Sequence, residues 1–470
     1  MSNINTTNNA DGQLLINRIL KCISDNDIQN YSLHCTTTKS EELFFIRQEC
    51  TLNRNKLTTK CEITIYHDFE SNDVNYRGSS SFIADLNMDE EELGAKIMSA
   101  YRSSLYVKNS YYPLPSGNRM ETENSETIQN NSGQIGSNKN SDKNTFENSD
   151  NDDIVTEHKL YTGNEIADFV FKNDVDTDVF INSLEIFVTE NFVHIINSNG
   201  IDVGYHNIIY SGEFVVQAKT PNDVELYQDF KYSYLDDDIA SSLSELVCKN
   251  LKAVKDRAIA VPINGLPQWN ATGLSFKNVI LEGNSVYELF HYYLRRTDAS
   301  MVYPGYSHFK IGDSILKHTE TSSTVTITLN PKVPYSPEGI KLLNLPLISD
   351  NIINFITGDA RFSYYLGVPA TGTYECFVMK SGDTSISEIQ KEPYLKIVSF
   401  SDFQMDEFTG QFGGEYRLAY YFDGKNTIPV TNGSISGNIN DIIGNILFSS
   451  EKQSSYYFDG PLAISYPNIQ

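Results

Sequence analysis

The run from Val398 to Asn438, VSFSDFQMDEFTGQFGGEYRLAYYFDGKNTIPVTNGSISGN, constrains the fold more than any other part of the chain. Apolar and aromatic residues alternate with polar ones, and glycine interrupts the run at Gly410, Gly413, Gly414, Gly424, Gly433 and Gly437. A period of two with such punctuation predicts antiparallel strands joined by tight turns. Asp423-Gly424 predicts a type I′ hairpin turn, because that turn needs residues that tolerate positive φ. Asn432-Gly433 predicts a second.

A chain of 470 residues can bury two separate cores. The formal charge of −25 repels a phosphate backbone, and Arg295-Arg296 is the only basic doublet, so direct binding to nucleic acid is disfavoured. Six cysteines, at positions 22, 35, 50, 61, 248 and 376, form no CxxC pair and read as free, reduced thiols of a cytoplasmic protein. The polar N-terminus does not read as a signal peptide. No apolar run approaches the roughly 20 residues that a membrane helix needs.

In chain order, residues 12–30 place Leu15, Ile19, Cys22 and Ile23 on one helical face. Strands are expected in YSLHCTTT, ELFFIRQE and KCEITIYHDF, with Asn53 and Asn55 at a hairpin turn before the third. Asp89 is placed to cap a helix ending near Tyr106, whose first turn is acidic. Residues 117–158 collapse to Asn, Ser, Gly and acidic residues and read as a disordered insertion. Thr162 and Glu165 predict a capping box. A long helix follows Asp236–Asp238, strands and turns precede it, and Pro262 stops it. The division is therefore an N-terminal α/β domain over 1–261, a linker over 262–270 and a β-rich domain over 271–470. The last opens with a strand near Asn278 and a helix from about Ser285 to Arg295, with ISDNIINFITGDARFSYYLG among its later strands.

The words SFSDFQMDEFTGQFGGE, RLAYYFDGK and PVTNGSISGN, in that order, resemble the C-terminal signature of the TldD/PmbA family, the "modulator of DNA gyrase" proteins with peptidase-like members. The likeness extends through RFSYYLGVPATGTY and DASMVYPGYSHFKIGDSI into ELFFIRQE and YRGSSSF. It implies an α+β fold: an N-terminal α/β domain with a mixed or antiparallel sheet, and a mostly antiparallel, barrel-like C-terminal domain. It also implies dimers and a role in proteolysis of unfolded peptides. The TldD branch carries HExxxH on the helix opening the C-terminal domain and a late cysteine, which together hold zinc. Here that helix reads SVYELFHYYLRR, with Glu288 and His291 only, and no cysteine follows Cys376. The likeness is therefore to the PmbA/TldE-like branch, with no cofactor in this chain and zinc in a TldD-type partner.

Glu288 and His291 lie three apart and share a helix face, so with His308 they form an alternative metal-ligating set, and Glu288 is the catalytic candidate. Such a pair serves equally as a hydrogen-bonded surface pair. No GxSxG or phosphate-binding glycine pattern occurs, and Cys376 reads as an inert strand thiol. Asp402, Gln404, Asp406 and Gln411, set among Phe403, Phe408 and Phe412, suit a strand edge that accepts extended peptide by backbone pairing. Arg295, Arg296 and Arg361 either line that surface or form structural ion pairs. The functions this leaves are a TldE-like subunit serving a TldD-type paralogue, a homodimeric peptide-binding protein, or a stand-alone metallopeptidase.

Overall fold

A computed structural model describes residues 10–117, 159–174, 176–267, 274, 276–317 and 324–468. Nearly all of the insertion at 117–158 and the end of the linker at 268–270 lie outside the described residues.

The first half builds one antiparallel sheet of seven strands in the order β4-β3-β2-β1-β5-β6-β7. The strands are β1 (Asn30–Ile46), β2 (Glu49–Ser71), β3 (Val74–Asp85), β4 (Asn109–Ser110), β5 (Val179–Asn197), β6 (Asp202–Ala218) and β7 (Val224–Ser233). Alternation along β1 sends Leu33, Cys35, Leu43 and Phe45 to one face. Helices α1 (Ala10–Asp25) and α2 (Glu90–Ser104) cover the first two of these, while α3 (Gly163–Phe171) and α4 (Ile239–Ile259) pack over the other two. Asp89 caps α2 through the Glu92 amide, and Thr162 and Glu165 close the capping box on α3.

Three local expectations change here. The two strands expected before Asn53 are one strand, β1, and the turn lies at Arg47-Gln48, where Arg47 adopts φ 56°. Asn53 and Asn55 sit inside β2, opposite Leu43 and Glu41. The cysteines are not all free: Cys35 and Cys61 face each other across β1 and β2 with Cα atoms 4.0 Å apart and form a disulfide. Register creates that contact, and two cysteines 26 residues apart do not announce it.

The second half holds two open sheets about one core. Its strands are β8 (Val261–Pro262), β9 (Asn278–Glu282), β10 (Ile327–Leu329), β11 (Leu345–Ser349), β12 (Ile352–Ile353), β13 (Phe377–Met379) and β14 (Tyr394–Met405). They continue as β15 (Gln411–Phe422), β16 (Thr427–Thr431), β17 (Gly433–Asn438), β18 (Leu447–Phe448), β19 (Lys452–Ser454), β20 (Phe458–Pro461) and β21 (Ala463–Pro467). One sheet runs β12-β11-β10-β13-β20-β19 and the other β18-β21-β9-β14-β15-β16-β8, with β17 also on β15. The α+β class holds, and neither sheet closes into a barrel. Between them lies α5 (Asn284–Arg296), one residue longer at each end than expected. It buries Leu289, Phe290 and Tyr293 completely. Leu289 and Phe290 each contribute about 1.5–3 kcal/mol of burial, which fixes the helix against both sheets.

The opening run forms the centre of the larger sheet, with different turns. At Asp423-Gly424 only the glycine has positive φ, and the Asp423 carboxylate accepts the amides of Lys425 and Asn426 to close a wider loop. Asn432-Gly433 is no hairpin. Both β16 and β17 pair antiparallel with β15 in one register, so Asn432, at φ 60°, interrupts a single strand line without inserting a residue. Residues Ala360–Leu366, expected as strand, form a helix because Asp359 caps its start and Gly367 its end in the left-handed conformation.

Candidate functional site

Helix α5 presents a half-buried stripe opposite its core face: Tyr287, His291 and Arg295 at successive turns, with Glu288 beside them. The Tyr287 ring lies 5.4 Å from the His291 ring and stacks on Phe377 and Tyr457 at 5.5 and 5.6 Å. Its hydroxyl donates to the Glu375 carbonyl at 3.3 Å. Lys231, on β7 of the first sheet, donates to the Tyr457 hydroxyl at 2.6 Å and stands 4.1 Å from the centre of the Tyr456 ring. The aromatic wall therefore joins the two halves of the molecule. The sequence showed only adjacent tyrosines there, and the meeting of Lys231 with Tyr457 comes from topology.

Glu288 is the one acidic group of this stripe. Burial first, and then the charge of Asp402, push its carboxyl up to about 7, against a hydrogen bond of 2.6 Å from Asn284 that favours the charged form. A carboxyl titrating near neutrality can take up or release a proton under ordinary conditions. The His291 imidazole is held down mainly by burial, opposed by the Glu407 carboxylate, and so tends to stay neutral. Arg295 pairs with Glu407 at 3.1 Å.

Strand β14 runs beside this stripe. It pairs with β15 along most of its length, but with β9 only from Tyr394 to Ile397. Among the described residues, its other edge from Val398 to Met405 has no partner strand. Phe403 and Met405 pack toward the core, while Asp402 and Gln404 are exposed and joined by a 2.6 Å hydrogen bond. Asp402 and Gln404 thus stand with Glu288, as one group.

The remaining candidates disperse. Asp406 caps the turn after β14, accepting from the amides of Phe408 and Thr409 and from the Thr409 hydroxyl. Gln411 lies on the rim of a separate cleft of about 920 Å³ beneath β17. His308 is exposed in a loop. Arg296 is buried and donates to the Tyr306 carbonyl, and Arg361 reaches Asn109 in the first half at 2.8 Å. Cys376 is buried just before β13 rather than in a strand, and burial pushes its thiol up to about 11, as befits an inert thiol.

Among the described residues no group of three or more His, Cys, Asp or Glu is arranged to hold a metal ion. Catalytic zinc takes three protein ligands and one open position. Glu288 and His291 supply two donors on this helix, one fewer than that ion takes, so the pair by itself does not fit it.

The fold defines an α+β protein in which a seven-stranded sheet precedes two open sheets about a central helix. Over nearly its whole length it is similar to three solved structures. TldE from Thermococcus kodakarensis matches with a TM-score of 0.68 at 14% identity, covering 98% of this chain and 99% of that one. A candidate DNA gyrase modulator from Thermotoga maritima gives 0.67 at 13%, covering 97% and 99%. One from Bacteroides thetaiotaomicron gives 0.68 at 16%, covering 99% and 98%. Residues 276–469 match the model of the PmbA/TldA metallopeptidase C-terminal domain, so the second half of this chain carries a C-terminal domain of the TldD/PmbA family. No curated protein sequence matches it. No helix among the described residues is long and apolar enough to cross a membrane.

Proposed function

We propose that this chain is the PmbA/TldE-like subunit of a TldD/PmbA-type peptidase system, gripping unfolded peptide while a zinc-bearing TldD-type partner cleaves it. The observation that carries this reading is the unpaired edge of β14 from Val398 to Met405, beside Glu288 and Asp402. An extended peptide satisfies such an edge by adding a strand, and the pairing is indifferent to sequence, which suits an unfolded substrate. Asp402 and Gln404 then offer acceptors and donors to alternate residues of the bound strand. Zinc in the partner supplies the activated water, while this chain orients the peptide. The two-donor set on α5 and the likeness in fold to TldE support the division of labour.

In this reading the 1–261 and 271–470 domains act as one subunit, the assembly is a heterodimer, and it works in the cytoplasm. The free thiols of Cys22, Cys50 and Cys248 suit that compartment, although the Cys35–Cys61 bond runs against it. A second reading, a hydrolase acting alone, draws on the near-neutral Glu288 carboxyl next to His291. Metal analysis and a peptidase assay, on the chain alone and mixed with a TldD-type paralogue, separate the two. Activity confined to the mixture supports the subunit. Activity of the chain alone, lost in Glu288→Gln, overturns it.

A further inference from the structure

A second, smaller cleft of about 360 Å³ opens where α4, β7 and β15 meet, lined by Gln217, Asp223, Glu225, Tyr227, Arg257 and Arg417 among others. Arg257 and Arg417 approach it from opposite halves of the chain. Arg257 donates to the Glu225 carbonyl. Arg417 donates to the Ser401 hydroxyl at 3.3 Å, and its guanidinium carbon lies 5.6 Å from the centre of the Tyr227 ring.

Neither guanidinium forms an ion pair with a carboxylate among the described residues, although the chain carries 61 acidic and 36 basic residues. The two carboxylates on the wall are engaged by amides: Glu225 accepts from Asn182 at 2.9 Å and Asp223 from Gln217 at 2.5 Å. Burial and the neighbouring Arg417 both hold the Arg257 guanidinium below its usual range, against the field of Glu225. Two like charges meeting in a recess repel, and an anion placed between them removes the repulsion. Guanidinium forks match phosphate and carboxylate oxygens in geometry as well as charge.

We propose that this cleft binds a compact oxyanion, phosphate or carboxylate, between Arg257 and Arg417. The volume suits an ion or a chain terminus and is at the small end for a larger ligand. The proposal is independent of the peptide edge on β14.

Calorimetric titration of the full chain with inorganic phosphate, N-acetylglycine and N-acetylglycinamide tests it. Saturable binding is expected for phosphate, for N-acetylglycine or for both, and none for the amide. Phosphate alone identifies a free phosphate as the source, and N-acetylglycine alone identifies a terminal carboxylate. Arg417→Gln is expected to weaken the binding about tenfold or more, the value of a charged hydrogen-bonding partner. Should that variant fail to fold, Arg257→Lys, which keeps the charge and loses the fork, is read in its place and is expected to weaken binding likewise. No saturable binding by either anion, equal binding of the amide, or affinity unchanged in the variant overturns the proposal.

Discussion

Among the described residues β2 and β14 each run past a partner strand, and only β14 carries the proposed site. Strand β2 pairs with β1 from Glu49 onward but with β3 only from Lys60, so among the described residues Glu49–Thr59 has no second partner strand. All but Thr59 of that segment is exposed, and Arg54 and Lys56 turn to the buried Glu42 carboxylate. Long charged side chains on an edge keep other strands away. Strand β14 differs in what lies behind it. Phe400 and Phe403 stand 4.9 Å apart and rest on the core, and α5 brings a carboxyl of altered acidity alongside. A packed core behind the edge and polar groups beside it set β14 apart from β2.

The contrast can be broken most forcefully at the anchor. Leu289→Ala, under α5, is expected to cost about 2–5 kcal/mol in denaturant unfolding, whereas Leu57→Ala on the β2 edge stays within about 0.5 kcal/mol. Next comes peptide binding. Asp402→Lys with Gln404→Lys is expected to lower affinity for an unstructured polypeptide about tenfold, measured by fluorescence anisotropy, while Thr58→Lys leaves it unchanged.

The third effect is pH dependence. The folded carboxyl of Glu288 is raised to about 7, above its unfolded value, so its charge destabilises the fold increasingly from about pH 4.5 to 7 and fully above. Glu288→Gln is thus expected to raise stability above pH 7 by something on the order of 1–2 kcal/mol, allowing for solvent screening, and to leave it unchanged near pH 4. Melting curves across that range check the sign. The smallest effect is Arg295→Ala, whose ion pair with Glu407 is partly exposed and worth about 0–1 kcal/mol.

What the sequence made legible was local. The caps at Asp89 and Thr162, the amphipathic α5 and the alternation of β14 and β15 rest on neighbours a few residues apart, and all appear in the structure. Ala360–Leu366 was misread against local caps at Asp359 and Gly367, whereas other misread segments turned on long-range register. Cys35 meets Cys61 because of the register in which β1 and β2 pair, and β16 and β17 run on as one line because β15 is long enough to hold both. At the site, Glu288 and His291 were visible as a pair on one helix. The proximity of Asp402 and the wall of Tyr287, Tyr457 and Lys231 were not, since those groups come together from four elements. Asp406 carried a binding signal in sequence because Asp among aromatics looks the same whether it faces a ligand or closes a turn.

Amide hydrogen exchange of the full chain with and without an unstructured polypeptide most directly tests whether the β14 edge is the grip. The account predicts new protection within Val398–Met405 and none within Glu49–Thr59. Protection at the β2 edge, or no change at β14 while the polypeptide is bound, would contradict it.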